Sequence, residues 1–265
     1  PTGLDIQRGT SFAAPWISRK LCYLIDKMGL SREIAKALII DSAVGWKKTN
    51  PEEEDLGYGI VPTKISDIML GQKDEIKFYI EGDANSFYTY TYNLPVPMIN
   101  DKFPFYAKAV LCYFPKCTRS QGVDYTNTEL DLQFGRMGKK GIRSVNRNTQ
   151  GEDLERATNE ATARELYRKW DNVKVVVDEI KDRKIPRQSY NNSNLWGLKI
   201  TNKERLEREK GLKFGVVVTL KEMDGVNRID DYIKLCMARG WLISRLDVQN
   251  QIDVYSKAEE EITFD

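Results

Sequence analysis

The residue types best suited to chemistry stand together near the front of the chain, in the run Gly9-Thr10-Ser11-Phe12-Ala13-Ala14-Pro15. Ser11 lies at the mouth of an apolar helical pattern. Unpaired backbone N–H groups and the positive end of the helix dipole would sit beside its oxygen. An oxyanion forming there is stabilised, so a hydroxyl in this position can act as a nucleophile. Gly9 allows close approach with no side chain in the way, and Ala13 and Ala14 keep the helix start slim. Pro15 falls about one turn in, where a missing N–H costs less than deeper in a helix. The competing reading of Ser11 is a plain helix N-cap.

A serine hydroxyl is a poor nucleophile without a base, and the chain has 0 histidines. Lysine is the only chemical alternative at neutral pH. Unless lysine serves, a nucleophilic Ser11 needs a base supplied from outside these 265 residues, and the isolated chain is then expected to be inactive.

The elements that must carry this serine are readable from periodicity. Ala14, Ile17, Leu21, Leu24, Ile25 and Met28 recur at three- and four-residue steps, with Arg19, Lys20, Asp26 and Lys27 on the other face. Gly29 ends that helix and Ser31 starts another, striped by Ile34, Ala35, Leu38 and Ile39. Asn50-Pro51 and the acids after it read as an exposed loop, Gly57-Tyr58-Gly59-Ile60 as a tight turn, and Pro62 leads to a small helix ending near Leu70-Gly71. Beyond Gly71 the period becomes two: Ile76, Phe78 and Ile80 alternate with polar neighbours, as do Leu130, Leu132 and Phe134. Further strand-like runs are Ser86–Tyr92, Tyr106–Phe114, Val173–Asp178, Leu195–Thr201, Phe214–Lys221 and Gln251–Tyr255. Residues 152–170 look helical and read as an insertion between strands. So many short strands joined by Gly, Pro and Asn turns point to a β-sandwich of jelly-roll or immunoglobulin-like type.

Composition sets the outer bounds. Lys plus Arg number 41 against 39 Asp plus Glu, so no global field points to nucleic acid or membrane. No apolar run approaches the ~20 residues needed to span a bilayer. A targeting segment ahead of Pro1 stays open, and with it the compartment. Four cysteines, scattered and without histidine, do not make a zinc site. Cys112 and Cys117 could close a disulfide across a turn, but two reduced thiols, one packed in a strand, is the plainer reading.

The run Gly9–Pro15 resembles the serine motif of the subtilisin-like proteases, Gly-Thr-Ser-x-Ala-x-Pro. The likeness continues for about 60 residues, through the apolar helix, the helix ending near Ser42-Ala43, and Leu56-Gly57-Tyr58-Gly59-Ile60-Val61-Pro62, which is similar to a closing segment of that family. The resemblance implies that Ser11 is the nucleophile and its backbone N–H an oxyanion donor, with Thr10 supporting that region and Gly9 and Pro15 shaping the turn. Position 12, often Met in the family, is Phe12 here, which alters the pocket beside the nucleophile. The family's triad order is Asp, His, Ser, so the acid, the base and the oxyanion asparagine are expected before Pro1.

The expected fold class is thus α+β overall. Residues 1–72 would be the C-terminal part of an α/β subtilisin-like catalytic domain. Residues 73–265 would be a β-sandwich accessory domain, similar in placement to the one in proprotein convertases, with a helical insertion near 152–170. The expected function is peptide-bond hydrolysis by the longer protein, the alternative being a pseudoprotease or scaffold whose sandwich binds or stabilises protein. Expected partners are a protein or peptide substrate and the upstream segment of the same protein, with no nucleic acid or membrane and no cofactor or metal. The apolar 14–28 stripe, short of its usual cover, is expected to pack on the sandwich or on another copy of the chain, giving a dimer.

Other clusters carry plainer readings. Arg136, Lys139, Lys140, Arg143 and Arg147 could bind phosphate, but a solvated loop is favoured. Lys203–Lys213, alternating in charge, reads as an exposed face or a turn between strands. Tyr88, Tyr90 and Tyr92 could bind sugar or peptide on one side of a strand, with cross-strand packing favoured. Asp124, Glu129 and Asp131 lack the spacing of a calcium loop, and Asp178, Glu179 and Asp182 lack any metal spacing.

Overall fold

The computed structural model describes residues 9–43, 57–85, 89–97, 102–103, 105–118, 120, 125–138, 141–144, 171–177, 187–188, 195–204 and 209–243. Four α-helices occur among them: α1 (Thr10–Cys22), α2 (Arg32–Ser42), α3 (Ile65–Met69) and α4 (Ile229–Ala238), with α1 running on into a π-helical turn over Tyr23–Lys27. The strands are β1 (Glu75–Ala84), β2 (Thr89–Pro95), β3 (Lys102–Phe103), β4 (Phe105–Tyr113), β5 (Thr128–Gly138), β6 (Gly141–Ser144), β7 (Val173–Val177), β8 (Arg187–Gln188), β9 (Leu195–Glu204) and β10 (Leu212–Glu222). The fold is mixed α+β. The readings over 50–55, 152–170 and 251–255 lie outside the described residues.

Two four-stranded sheets carry the chain, ordered β1-β10-β4-β7 and β2-β9-β5-β6, with β3 and β8 paired apart from them. Every pairing is antiparallel. The alternation in sequence decides which side faces which. Ala107, Ala109 and Leu111 of β4 and Phe214, Val216 and Val218 of β10 share one buried cluster with Leu130, Leu132 and Phe134 of β5 and Trp196, Leu198 and Ile200 of β9. Phe134 and Trp196 meet at its centre, their rings 5.0 Å apart.

The first sheet is buried on its other side as well. Val110, Cys112 and Val217 belong to a second cluster with Leu24, the apolar residues of α2, and Ile65 and Ile68 of α3. This explains why β4 and β10 read as near-continuous apolar runs rather than clean alternations. Burial extends past the stripe read from sequence, to Ala37 and Ile40 of α2. The helix is seated by a glycine: a Cβ on Gly215 would lie 2.7 Å from Ile34 Cδ1 and 2.9 Å from the Ile34 backbone nitrogen. Ser31 caps α2, its Oγ accepting from the Ile34 N–H at 3.2 Å.

Buried charge closes the far end of α2. Asp41 accepts from Lys77 of β1 at 3.1 Å and from the Thr219 hydroxyl of β10 at 2.8 Å. Lys108 of β4 donates to the Ile40 and Asp41 carbonyls at 3.3 and 2.8 Å, where helix carbonyls lack internal donors. Burial pulls the Lys108 ammonium below its usual range, with Asp41 opposing.

Candidate functional site

Ser11 occupies the second position of α1, and Gly9 is the N-cap, with φ of 145°. That dihedral is one that side chains rarely adopt, which is the local reason for glycine here. The Gly9 carbonyl accepts from the Phe12 and Ala13 N–H groups at 3.1 and 3.2 Å. Helix geometry provides no internal acceptor for the Thr10 and Ser11 N–H groups. No acidic residue stands in this first turn, so nothing in it offsets the positive end of the helix dipole. Pro15 has no N–H, so the Ser11 carbonyl receives no helical bond from it. One turn later the Ser18 hydroxyl donates to the Ala14 carbonyl at 2.9 Å.

Gly9, Thr10, Ser11 and Pro15 are all exposed. Phe12 and Trp16, one helical turn apart, are each 51% exposed. Among the described residues no hydrogen-bond partner stands against the Ser11 hydroxyl, so among them it forms no catalytic pair, and the N-cap of α1 is Gly9 with no side-chain cap bond. The geometry offers an exposed hydroxyl beside N–H groups that have no acceptor within the helix. It can accept a developing negative charge, but the chain supplies no imidazole.

The rest of α1 is anchored. Ile17, Leu21 and Met28 pack against the cluster that holds Leu24 and α2, whereas Ala14 and Ile25 of the expected stripe are exposed. Lys20 departs from its expected place on the solvent face. It is buried and donates to the Thr63 carbonyl, with its ammonium 5.6 Å from the Trp16 ring centre. This contact joins α1 to the segment after Gly57-Tyr58-Gly59. The sequence signal for it was the four-residue step from Trp16 to Lys20, in which an aromatic can cover a lysine stem.

The secondary clusters resolve differently. Arg136 is buried in β5 and does not lie in a solvated loop. The residues around it form the β5–β6 hairpin, in which Gly138 pairs with Gly141. Lys139, Lys140 and Arg147 are outside the described residues. Likewise Lys203 and Glu204 end β9, and Leu212 and Lys213 begin β10. Tyr90 and Tyr92 pack on the inter-sheet core, beside Phe214 and Trp241. Tyr88, Asp124, Asp178, Glu179 and Asp182 lie outside the described residues. Glu129 pairs with Lys174 at 2.7 Å and Asp131 with Lys203 at 3.5 Å, and burial raises the Asp131 carboxyl above its ordinary range. Among the described residues no group of three or more His, Cys, Asp or Glu is placed to hold a metal, and no helix is long and apolar enough to cross a membrane. All four cysteines are free thiols, Cys112 and Cys236 buried, Cys22 and Cys117 exposed.

Comparison of the sequence with protein-family models and with curated proteins gives no match.

Proposed function

We infer that this chain is part of a subtilisin-like serine endopeptidase, in which Ser11 attacks a peptide carbonyl and its own N–H helps hold the resulting oxyanion. The observation that carries the reading is the presentation of Ser11. It stands uncapped and exposed in the first turn of α1, behind a glycine whose φ of 145° fits the motif's Gly-Thr-Ser start. In the longer protein, an upstream aspartate–histidine pair would take and return the proton. Thr10 supports the donor region, and Pro15 shapes the turn. The substrate class is protein or peptide.

Residues 1–72 would then complete the catalytic domain, and residues 73–265 would be its accessory domain. The strand orders β1-β10-β4-β7 and β2-β9-β5-β6 favour a jelly roll, eight strands in two facing sheets, over an immunoglobulin-like sandwich. The burial of α2 against β4 and β10 favours a bracing role for this domain, since it supports the helices on which Ser11 is mounted.

A fluorophosphonate probe tests the reading on the full-length protein. Labelling at Ser11 that disappears in Ser11→Ala is the expected result. Labelling that persists in the variant overturns the assignment. Absence of labelling, with no aspartate–histidine pair upstream, leaves a pseudoprotease or scaffold in its place.

A further inference from the structure

Helix α4 packs on β1 and β2, the end strands of the two sheets. Tyr232 stacks on Phe78 of β1 with ring centres 5.2 Å apart, and Cys236 joins the inter-sheet core. These two are the buried residues of the helix. Its apolar arc is much wider than that. At ~100° per residue, apolar positions run through about 200°, from Leu235 past Tyr232, Cys236, Ile229 and Ile233 to Met237.

Ile229, Ile233 and Met237 recur at four-residue steps and form one row beside the buried pair. Ile229 is 36% and Met237 65% exposed, with Ile233 half-buried. Val226, Leu242 and Ile243, which flank the helix in sequence, are exposed too. A helix that only covered the sheets would need the Tyr232–Cys236 strip alone. A second apolar row left in water marks a contact surface.

Charge decides what fits on it. Asp230 and Lys234 border the row on its outer side, four residues apart. With two copies of α4 antiparallel about a two-fold axis at Ile233, Ile229 of each comes level with Met237 of the other. At 1.5 Å rise per residue, Asp230 then lies within about 3 Å, measured along the axis, of Lys234 of the second copy. Both Asp–Lys pairs form at once, and the two helix dipoles oppose. A parallel arrangement would set Asp230 against Asp230 and Lys234 against Lys234. The row and its border are thus complementary to themselves, as an interface between identical copies requires.

We propose that α4 is a two-fold contact between copies of this chain, the Ile229–Ile233–Met237 row of one lying antiparallel on the same row of the other. Met237, flexible and polarisable, fills the gap at each end beside Ile229 of the second copy. This surface is separate from the 14–28 segment and independent of the reading of Ser11.

Sedimentation equilibrium of the 265-residue chain tests this, and a monomer–dimer equilibrium is expected. Met237→Glu, with an acid at the most exposed point of the row, should weaken association by about tenfold or more, since the residue enters a two-fold interface twice. Lys234→Glu should weaken it as well, and adding Asp230→Lys should restore it, because the exchanged pair again meets with opposite signs. A wild-type chain that stays monomeric up to about 0.1 mM, a dimer indifferent to Met237→Glu, or a double variant no tighter than Lys234→Glu alone would each overturn the proposal. A dimer that dissociates instead in Trp16→Ser belongs to α1, which overturns it too. Should the variants fail to fold, amide exchange of the wild-type chain at two concentrations decides. Protection over 229–238 that rises with concentration supports the α4 contact; a rise confined to other segments, or none, overturns it.

Discussion

Lys108 of β4 donates to the Asp41 carbonyl at 2.8 Å, so the first sheet caps the last turn of α2 from beneath. The same ammonium lies 4.0 Å from the Asp41 carboxylate, which is also bonded to Lys77 and Thr219. Removing the carboxylate would leave two buried cations without it. Asp41→Ala should therefore cost about 3–5 kcal/mol, whereas Lys108→Met, which takes away a charge and keeps the stem, should cost clearly less. Denaturant unfolding of the two variants checks the order. Equal and small losses would show that the cluster contributes little to holding α2 on the sheet.

Much of this framework was legible from period alone. The step of two from Ile76 to Ile80 and from Leu130 to Phe134 marks β1 and β5, because one face of each is turned to the core. The Ser31 cap and the Ile34–Ile39 stripe give α2 for a similar reason. Helix α4 was not legible: only Tyr232 and Cys236 of its residues are buried, too few to set a helical stripe. Arg136 and Lys20 were misplaced because charge predicts exposure unless a partner is known, and the Thr63 carbonyl that receives Lys20 lies 43 residues away. At the candidate site, the motif gave the serine and its glycine. It could not show that the face carrying Phe12 and Trp16 stands open, because that depends on what the rest of the fold leaves uncovered.

The seat of α2 on β10 gives a second test. Gly215→Ala places a methyl group within 3.0 Å of the Glu33 carbonyl carbon and closer still to Ile34. These are largely backbone contacts, so a rotamer change cannot absorb them. Destabilisation of about 1–3 kcal/mol is expected, in the range of an overpacked core. Gly211→Ala would be a poor control, since its φ of 67° adds strain in open space. Gly215→Ser should be at least as costly as the alanine. Thermal unfolding of both variants measures it, and an unchanged midpoint would mean that the helix slides freely on the sheet.

Ser11 itself should be nearly neutral for stability. It is exposed, and the N-cap of α1 is Gly9, with no side-chain capping bond. Ser11→Ala should therefore change unfolding free energy by less than about 0.5 kcal/mol. A loss near 1 kcal/mol, the usual worth of a serine cap, would assign the residue a structural role. Paired with probe labelling, the measurement separates a serine kept for chemistry from one kept for the helix.

Thiol reactivity provides the last test, because the cysteines divide by environment. Cys112 lies between β4 and α2, where burial pushes its thiol up to about 12, Glu33 adding and Lys36 opposing. Burial also raises Cys236, while Cys22 and Cys117 are exposed. Since the thiolate is the reacting form, an alkylating reagent near pH 8 should modify Cys22 and Cys117 quickly. Cys112 and Cys236 should react only at the rate at which the fold opens. Peptide mapping of the labelled chain reads this directly. The sign of the stability effect follows from the same shift. The folded value of Cys112 exceeds its ordinary 9.0, so this thiol leaves stability untouched below about 9, and stability declines by up to ~1.4 kcal/mol per pH unit as pH climbs from there toward 12. Cys112→Ala should flatten that decline. If Cys112 is instead labelled as fast as Cys22 in the native chain, α2 does not cover the first sheet in solution.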